Sequence, residues 1–238
     1  MKKAIRIIAI VLAVGFIVAL AVYNTAHPNR DSFKPWNAAM TMGDQATAEH
    51  HFVMYTDIFC PYCDKFSDAI QANEADFKTN YVEGKKIFFE IRVTDMNYKS
   101  GHSENSLPAG EGAYCAAKQN KFWEYYHAIL SKIYKDYHSK GIGVDQYAEK
   151  IPKLEMDYFY AAADDGKLDH DAFVTCMENH ETKSELDKNT TVAQNRVQSG
   201  VPYFVFDKYQ TSGFLGNWDT TNDYAQAKMM LDAGLTTK

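Results

Sequence analysis

The apolar residues of this chain follow two patterns, and each pattern predicts a different kind of element. Two short runs rich in β-branched and aromatic residues, at 52–55 and 87–93, predict buried strands. Between them, apolar residues recur at helical spacing from about residue 64 to residue 81, which predicts an amphipathic helix. A strand, a helix and a second strand in this order predict a parallel pair with a right-handed crossover.

The rest of the chain is predominantly helical in its pattern. The Gly-, Ser- and Asn-rich stretch at 97–112 predicts a loop, and the aromatic stripe that follows is interpreted as the core face of a long helix rather than as a cofactor site. The remaining predicted elements are a helix over 113–137 ended by Gly141 and Gly143, helical segments at 147–151, 156–163 and 169–196, a strand at 203–206, a turn at 207–210, a short partner strand at 213–216 and a closing helix at 224–235.

The N-terminus predicts a membrane address. Lys2, Lys3 and Arg6 precede an uncharged run of 17 residues at 7–23, which is at the short limit for a spanning helix. We interpret residues of about 4–23 as an anchor to the cell membrane, with a cleaved signal peptide at the small residues 19–21 as the alternative. In both cases the positive-inside rule places residues 27 onward outside the cytoplasm. The predicted organisation is an anchor or signal peptide at 1–26, a tether and lead-in segment at 27–48, and a folded domain at 49–238.

Composition and charge narrow the classes of function. The chain has 238 residues, of which 46% are hydrophobic, enough for one sizeable domain. Without its first 26 residues it has 22 basic and 31 acidic residues, a net charge of −9. This balance argues against a nucleic-acid partner and against binding anionic lipid through a basic surface. The even count of four cysteines suits an oxidising compartment.

The candidate chemistry lies in Cys60-Pro61-Tyr62-Cys63, between the first predicted strand and helix. A Cys-x-x-Cys pair in this position is typical of redox sites, and Pro61 suits the first helical position. There, free N–H groups and the helix dipole favour the thiolate of Cys60. Cys60 is therefore the expected exposed nucleophile and Cys63 the shielded resolving cysteine. A zinc site would need further ligands at finger or ribbon spacing, so neither a metal nor a cofactor is predicted; a purely structural disulfide is the alternative.

The chain resembles the DsbA family of thioredoxin-fold disulfide oxidoreductases, especially its membrane-tethered members. Four segments carry the resemblance in order, and they are residues 55–63, residues 113–116 with 121–127, residues 173–176 and residues 200–205. The resemblance covers about residues 49–238. It implies an α/β thioredoxin fold, a central mixed β-sheet flanked by helices, interrupted by an α-helical insertion at about 103–196.

The same resemblance implies roles for residues far from the motif. Pro202 should be a cis-proline packed against the Cys60–Cys63 disulfide, so that the backbone of Val201 is exposed to pair with an extended substrate. An ordinary trans proline at the start of the strand is the alternative. Many relatives have Thr where this chain has Val201. Pro61 and Tyr62 should shape the active site.

Four other residues are weaker candidates. Some relatives form a second disulfide, which would here join Cys115 and Cys176 within the insertion, although two small buried side chains are the alternative. Asp57 and Glu90 are candidates for a buried carboxylate that assists proton transfer to Cys63. Asp57 is expected instead to hydrogen-bond the turn, so neither is counted as catalytic.

The function implied is that of a thiol oxidase. It would donate the Cys60–Cys63 disulfide to exported proteins with free cysteines, through a mixed disulfide at Cys60, and a quinone-linked membrane oxidase would reoxidise it. A monomer is expected. One alternative is a disulfide isomerase or reductase, although the roughly 25 residues between the apolar run and the first strand leave no room for the separate dimerisation domain usual in isomerases. The other is a non-enzymatic, peptide-binding thioredoxin-like module.

Overall fold

A five-stranded mixed sheet organises the residues that this computed structural model describes, which are 34–197, 200–206, 209–212 and 223–236. Its strands are β1 (Thr41–Met42), β2 (His50–Thr56), β3 (Ile87–Val93), β4 (Tyr203–Phe206) and β5 (Tyr209–Ser212). Their order is β1-β3-β2-β4-β5. The β2 and β3 strands are parallel, as predicted, with Phe52 opposite Phe89, and every other pair is antiparallel.

Helices supply the crossover between β2 and β3 and almost everything between β3 and β4. They are α1 (Pro61–Ala72), α2 (Glu74–Phe77), α3 (Met96–Lys99), α4 (Ser106–Lys118), α5 (Phe122–Asp136), α6 (Met156–Asp165), α7 (His170–Glu178), α8 (Lys183–Arg196) and α9 (Asp223–Thr236). Short 3₁₀ turns lie at Ala38–Met40 and His138–Lys140, and a π turn lies at Lys78–Val82. The α4–α8 helices make up the predicted helical insertion.

Both faces of β2 are buried, which explains its uninterrupted apolar run. Side chains alternate across a strand, so Phe52 and Met54 enter the larger core with residues of α1, α5 and α9, whereas Val53 and Tyr55 face the opposite side. On that side they pack with Ala193 at the end of α8. The strand that leads into the cysteine motif is therefore packed on both faces of the sheet.

The Gly-rich stretch at 97–112 is not one loop, and that prediction was wrong. Residues 96–99 form α3, and α4 begins at Ser106. Glycines lie inside α4 because neighbouring helices approach it closely. A Cβ added at Gly110 would lie 2.8 Å from Leu186 Cδ2, and one at Gly112 would lie 2.4 Å from the Tyr125 hydroxyl. The glycines that suggested a loop therefore allow neighbouring side chains to pack closely against α4.

Two helical predictions also fail for local reasons. The helix predicted over 113–137 is broken at residues 119–121, where Asn120 has φ +55°, giving separate α4 and α5. Residues 147–151 do not form the predicted helix. Instead, Asp145 Oδ1 accepts hydrogen bonds from the backbone N–H groups of Tyr147 and Ala148. This side chain offers the backbone an alternative to helical bonding.

The remaining differences concern boundaries. The helix predicted over 64–81 ends at Ala72 and is followed by α2 and the π turn, and the lead-in segment contributes the unpredicted edge strand β1. The strand that partners β4 is Tyr209–Ser212, so the turn predicted over 207–210 was wrong in its second half. Residues 207–208 and the predicted strand at 213–216 lie outside the described residues.

The predicted N-terminal anchor also lies outside the described residues. None of the helices within the described ranges combines the length and the apolar character needed to cross a membrane.

Candidate active site

The end of β2 delivers Cys60 to the start of α1 through a hydrogen-bonded turn. Asp57 Oδ1 accepts a hydrogen bond from Phe59 N (2.9 Å), and Cys60 N donates to Asp57 O (3.0 Å). Cys60 is then the N-cap of α1, and its sulfur accepts from Cys63 N at 3.4 Å. Pro61 occupies the first turn, where a missing N–H costs nothing. The predicted position of this sulfur at a helix N-terminus is confirmed.

The two motif cysteines differ in their access to solvent, although less than predicted. Both are free thiols; Cys60 is 5% exposed and Cys63 is 0% exposed. The expectation that Cys60 stands exposed is therefore corrected: the residue is buried and lines a groove. Cys63 is covered because it lies on the core side of α1, in the larger core.

The Val201–Pro202 segment closes the other side of Cys60. The peptide bond between these two residues is cis, as the resemblance implied. The Cys60 thiol donates to the Val201 carbonyl at 3.3 Å, a contact between residues 141 positions apart. The β4 strand pairs with β2, with Tyr203 opposite Tyr55. This pairing holds the Val201–Pro202 segment beside the end of β2, where the cysteine motif begins.

A groove of about 400 Å³ opens above the motif. Cys60, Pro61 and Tyr62 form its base, and the Tyr62 side chain is 45% exposed. Its walls come from the loops at 102–103 and 143–151. Neither loop was predicted to approach the motif, because nothing in the sequence near them indicates what they face.

Burial controls the ionisation of Cys63. It raises the pKa of the Cys63 thiol well above its usual range, and the hydrogen bond with Cys60 acts in the same direction, whereas the Thr56 hydroxyl opposes it. Behind Cys63, the Tyr126 hydroxyl lies 2.9 Å from Ser67 Oγ and 3.3 Å from Thr56 Oγ1. Burial thus favours the protonated thiol of Cys63, which lies next to a small network of hydroxyl groups. This network was not predicted from the sequence, where Tyr126 was interpreted only as a core residue.

The two candidate carboxylates do not hydrogen-bond a cysteine sulfur. Asp57 is fully buried, and its side chain accepts from Phe59 N, Asn97 N and the Ser106 hydroxyl, which confirms that it hydrogen-bonds the turn. Burial raises its pKa to about 6, although those three hydrogen bonds oppose the rise.

Glu90 belongs to the other face of the sheet. It lies opposite Val53, and its carboxylate binds Arg92 Nε (2.8 Å), His51 Nε2 (3.1 Å) and Trp36 N (2.8 Å). Burial alone would raise its pKa, but the hydrogen bonds from His51 and Arg92 and the charge of Arg92 lower it. Glu90 is therefore part of a buried ion pair rather than of the thiol site.

Asp64 and His138 form a buried pair beside the motif that was not predicted from the sequence. Asp64 directly follows Cys63, and its Oδ2 lies 2.9 Å from His138 Nδ1. The position of Asp64 in the first turn of α1 was a usable signal. His138 offered none, because it lies 74 residues further along the chain.

Cys115 and Cys176 lie away from the groove and form a disulfide with an S–S distance of 2.02 Å. It joins α4 to α7 inside the insertion, which is the pairing that the resemblance implied. Within the described ranges, no three His, Cys, Asp or Glu side chains are grouped so as to hold a metal ion.

Fold and site together define a class of protein. A free Cys-x-x-Cys pair caps a helix after a central strand, a cis-proline loop faces it, and a helical insertion interrupts the mixed sheet. The family model described as thioredoxin matches residues 37–233. The chain belongs to this thioredoxin family, and the predicted fold class is confirmed.

Solved structures with the same fold include DsbA-type proteins. A thioredoxin-like oxidoreductase from Silicibacter pomeroyi DSS-3 is 19% identical, with a TM-score of 0.58 over 88% of this chain and 99% of the other. Oxidised BdbD from Bacillus subtilis is 13% identical, with a TM-score of 0.58 over 83% and 93%. DsbA from Chlamydia trachomatis is 15% identical, with a TM-score of 0.55 over 85% and 95%. No curated protein matches the chain.

Proposed function

We propose that this protein is an extracytoplasmic thiol oxidase that donates the Cys60–Cys63 disulfide to exported proteins with free cysteines. The observation that carries the proposal is the position of Cys60. Its sulfur caps α1, faces the groove and lies 3.3 Å from the Val201 carbonyl, while Cys63 is enclosed behind it. An incoming sulfur can therefore reach one cysteine of the pair and not the other.

The exchange proceeds in two displacements. A substrate thiolate attacks Cys60 Sγ in the oxidised protein; the new S–S bond forms as the Cys60–Cys63 bond breaks, and Cys63 leaves and takes up a proton. Burial of Cys63 favours this protonated form. A second substrate thiolate then attacks the substrate sulfur of the mixed disulfide, and Cys60 leaves as a thiolate at the helix N-terminus. The substrate is oxidised by two electrons and the protein is reduced to its dithiol.

The backbone beside Cys60 suits an extended polypeptide. The Val201–Pro202 segment lies beside the sulfur and leads directly into β4. Strand-like hydrogen bonding to a substrate here would align its cysteine with Cys60 without requiring a particular sequence. This supports broad use of exported substrates rather than recognition of one partner.

The Cys63→Ala variant tests the proposal. Without the resolving sulfur, the Cys60 thiolate should attack disulfides of oxidised polypeptides in an extracytoplasmic extract, release one of their sulfurs as a thiol and remain in stable mixed disulfides, visible as thiol-sensitive bands on non-reducing gels. The matched Cys60→Ala variant keeps only the buried sulfur and should form almost none. Equal trapping by both variants, or by neither, would contradict the assigned roles.

The direction of transfer needs its own measurement. We expect the Cys60–Cys63 pair to equilibrate with glutathione as an oxidising couple, because the backbone N–H of Cys63 donates to the Cys60 sulfur at the start of α1 and so favours its release from a disulfide. A strongly reducing equilibrium would instead favour the reductase.

The N-terminal run at residues of about 4–23 supports a membrane anchor, and a quinone-linked membrane oxidase is the proposed reoxidant. Full-length protein that pellets with membranes and is reoxidised by them, but not by quinone-depleted membranes, is the expected result.

A further inference from the structure

Asp64 and His138 form a buried polar pair beside the two thiols, and the proposed disulfide exchange does not use this pair. Asp64 is 1% exposed and His138 is 8% exposed, and a 2.9 Å hydrogen bond joins their side chains. Each side chain also has one buried polar atom, Asp64 Oδ1 and His138 Nε2, without a hydrogen-bond partner among the described residues. Burying a polar atom without a hydrogen bond costs free energy of folding, so a buried pair with two such atoms needs an explanation.

The pair joins two of the structures that enclose the groove. Asp64 lies in the first turn of α1, and its backbone N–H donates to the Cys60 carbonyl at 3.0 Å. His138 begins the short 3₁₀ turn that leads into the 143–151 wall of the groove. The pair therefore connects the helix that holds the nucleophile to the wall that a substrate would touch.

The backbone that leads from His138 into the wall passes through two glycines with positive φ values. Gly141 and Gly143 have φ values of +77° and +72°, a region that glycine enters readily. Gly143 also packs closely: a Cβ added there would lie 2.8 Å from Ile151 Cγ1 and 3.8 Å from His138 Cδ2. His138 thus lies directly under the turn that forms the wall.

We propose that His138 is a positioning residue that, through its hydrogen bond with Asp64, holds the 143–151 wall against the active-site helix and so determines the affinity of the groove for polypeptide substrates. This inference rests on the proposed function in assigning the groove to substrates. It differs from a role in thiol chemistry, because the pair acts on the wall and not on a sulfur atom.

The test compares a substrate that needs the groove with one that does not. His138→Leu should raise the KM for oxidation of an unstructured peptide with two reduced cysteines by about five- to tenfold, the effect of losing one buried hydrogen bond. Its kcat and its rate with dithiothreitol, which is too small to need the wall, should stay within about twofold of the unchanged protein. His138→Asn, whose amide places a donor near the position of Nδ1, should restore most of the lost affinity.

A matched control removes a similar pair elsewhere. His170 Nδ1 lies 2.7 Å from Asp164 Oδ1 on the exposed surface of the insertion. His170→Leu should change neither the KM for the peptide nor the rate with dithiothreitol. If His138→Leu does not fold, as judged by circular dichroism, His138→Gln replaces it, since its longer side chain misplaces the donor. Equal loss with peptide and dithiothreitol, or no change with either, would overturn the proposal.

A binding measurement separates this inference from the proposed function. The same peptide with both cysteines replaced by serine cannot exchange disulfides but can occupy the groove. Its Kd, from fluorescence titration, should rise by the same ratio in His138→Leu and recover in His138→Asn. This result would support the positioning role even if the unchanged protein oxidised no thiol, and an unaltered Kd would refute it even if the oxidase activity were established.

Discussion

At the scale of single residues, Asp57 shows how burial and hydrogen bonding compete behind the motif. Three donors surround its carboxylate, yet complete burial raises its pKa from its ordinary 3.8 to about 6. A carboxyl whose pKa is higher in the folded state binds a proton more readily there than in the unfolded chain. Its contribution to stability is fully present below about pH 4 and is lost as the pH rises through about 6.

The Asp57→Asn variant tests this linkage. The amide does not titrate, so the variant should lack the pH-dependent part of stability that Asp57 supplies. Between about pH 4 and about pH 7.5, the free energy of unfolding of the unchanged protein should fall by about 2.4 kcal/mol more than that of the variant. Urea denaturation at both pH values measures the difference.

An exposed carboxylate serves as the control for this experiment. Asp44 accepts from Ala46 N at the surface, and Asp44→Asn measures the effect of the same substitution at an exposed carboxylate away from the motif. Parallel pH profiles for Asp57→Asn and the unchanged protein would show that folding does not raise the pKa of Asp57 and would contradict the prediction.

At the scale of elements, the contact between α4 and α5 explains why a glycine-rich segment is helical. Gly112 faces Tyr125, whose buried hydroxyl has no hydrogen-bond partner among the described residues. The helix accepts the lower propensity of glycine, about 1 kcal/mol relative to alanine, because a larger side chain would collide with its neighbour. Packing between helices thus overrides local preference.

Gly112→Ala should therefore destabilise the fold despite its better helix propensity. The added Cβ would lie 2.4 Å from the Tyr125 hydroxyl, and such overpacking costs about 1–3 kcal/mol. Tyr125→Phe removes the nearest colliding atom and forfeits no hydrogen bond, so in that background the loss should be smaller by roughly 1 kcal/mol. Thermal or urea unfolding of the four proteins of this cycle measures the coupling.

Gly110→Ala is the matched control within the same helix. Its Cβ would meet Leu186 Cδ2, the end of a flexible side chain that can move aside. Its cost should be clearly lower than that of Gly112→Ala. Additive effects of Gly112→Ala and Tyr125→Phe would argue against the contact as the cause.

At the scale of the whole molecule, the Cys115–Cys176 disulfide fastens the insertion independently of the active site. It links α4 to α7 across a sequence separation of 61 residues and lies outside the groove. Closing a loop of this length restricts the unfolded chain, which is worth about 4 kcal/mol in the chain-entropy description. The disulfide and the proposed thiol exchange therefore involve different cysteine pairs.

The double variant Cys115→Ala/Cys176→Ala tests this separation. Its free energy of unfolding should fall by about 2–4 kcal/mol, because the unfolded chain regains the lost freedom. Its rate of dithiothreitol oxidation under folding conditions should stay within about twofold of the unchanged protein. A proportionate loss of activity in the folded variant would show that the insertion disulfide takes part in exchange.

What could be read from the sequence were features encoded within a few neighbouring residues. The strand before the motif, the helix that begins at Pro61 and the parallel β2–β3 pair each follow from local periodicity and capping. The resemblance added the cis peptide bond before Pro202 and the Cys115–Cys176 pairing. The failures at 106–112 and 147–151 occurred where a distant contact or a side-chain turn outweighed local preference.

By itself, the sequence determined that two thiols stand at a helix start after a buried strand, since capping and alternation act over a few positions. Only the tertiary structure decided which groups meet those thiols. The Val201 carbonyl reaches Cys60 from 141 positions away, and His138 reaches Asp64 from 74 positions away. Such contacts depend on how the sheet and the insertion pack as a whole, and no local pattern in the chain records them.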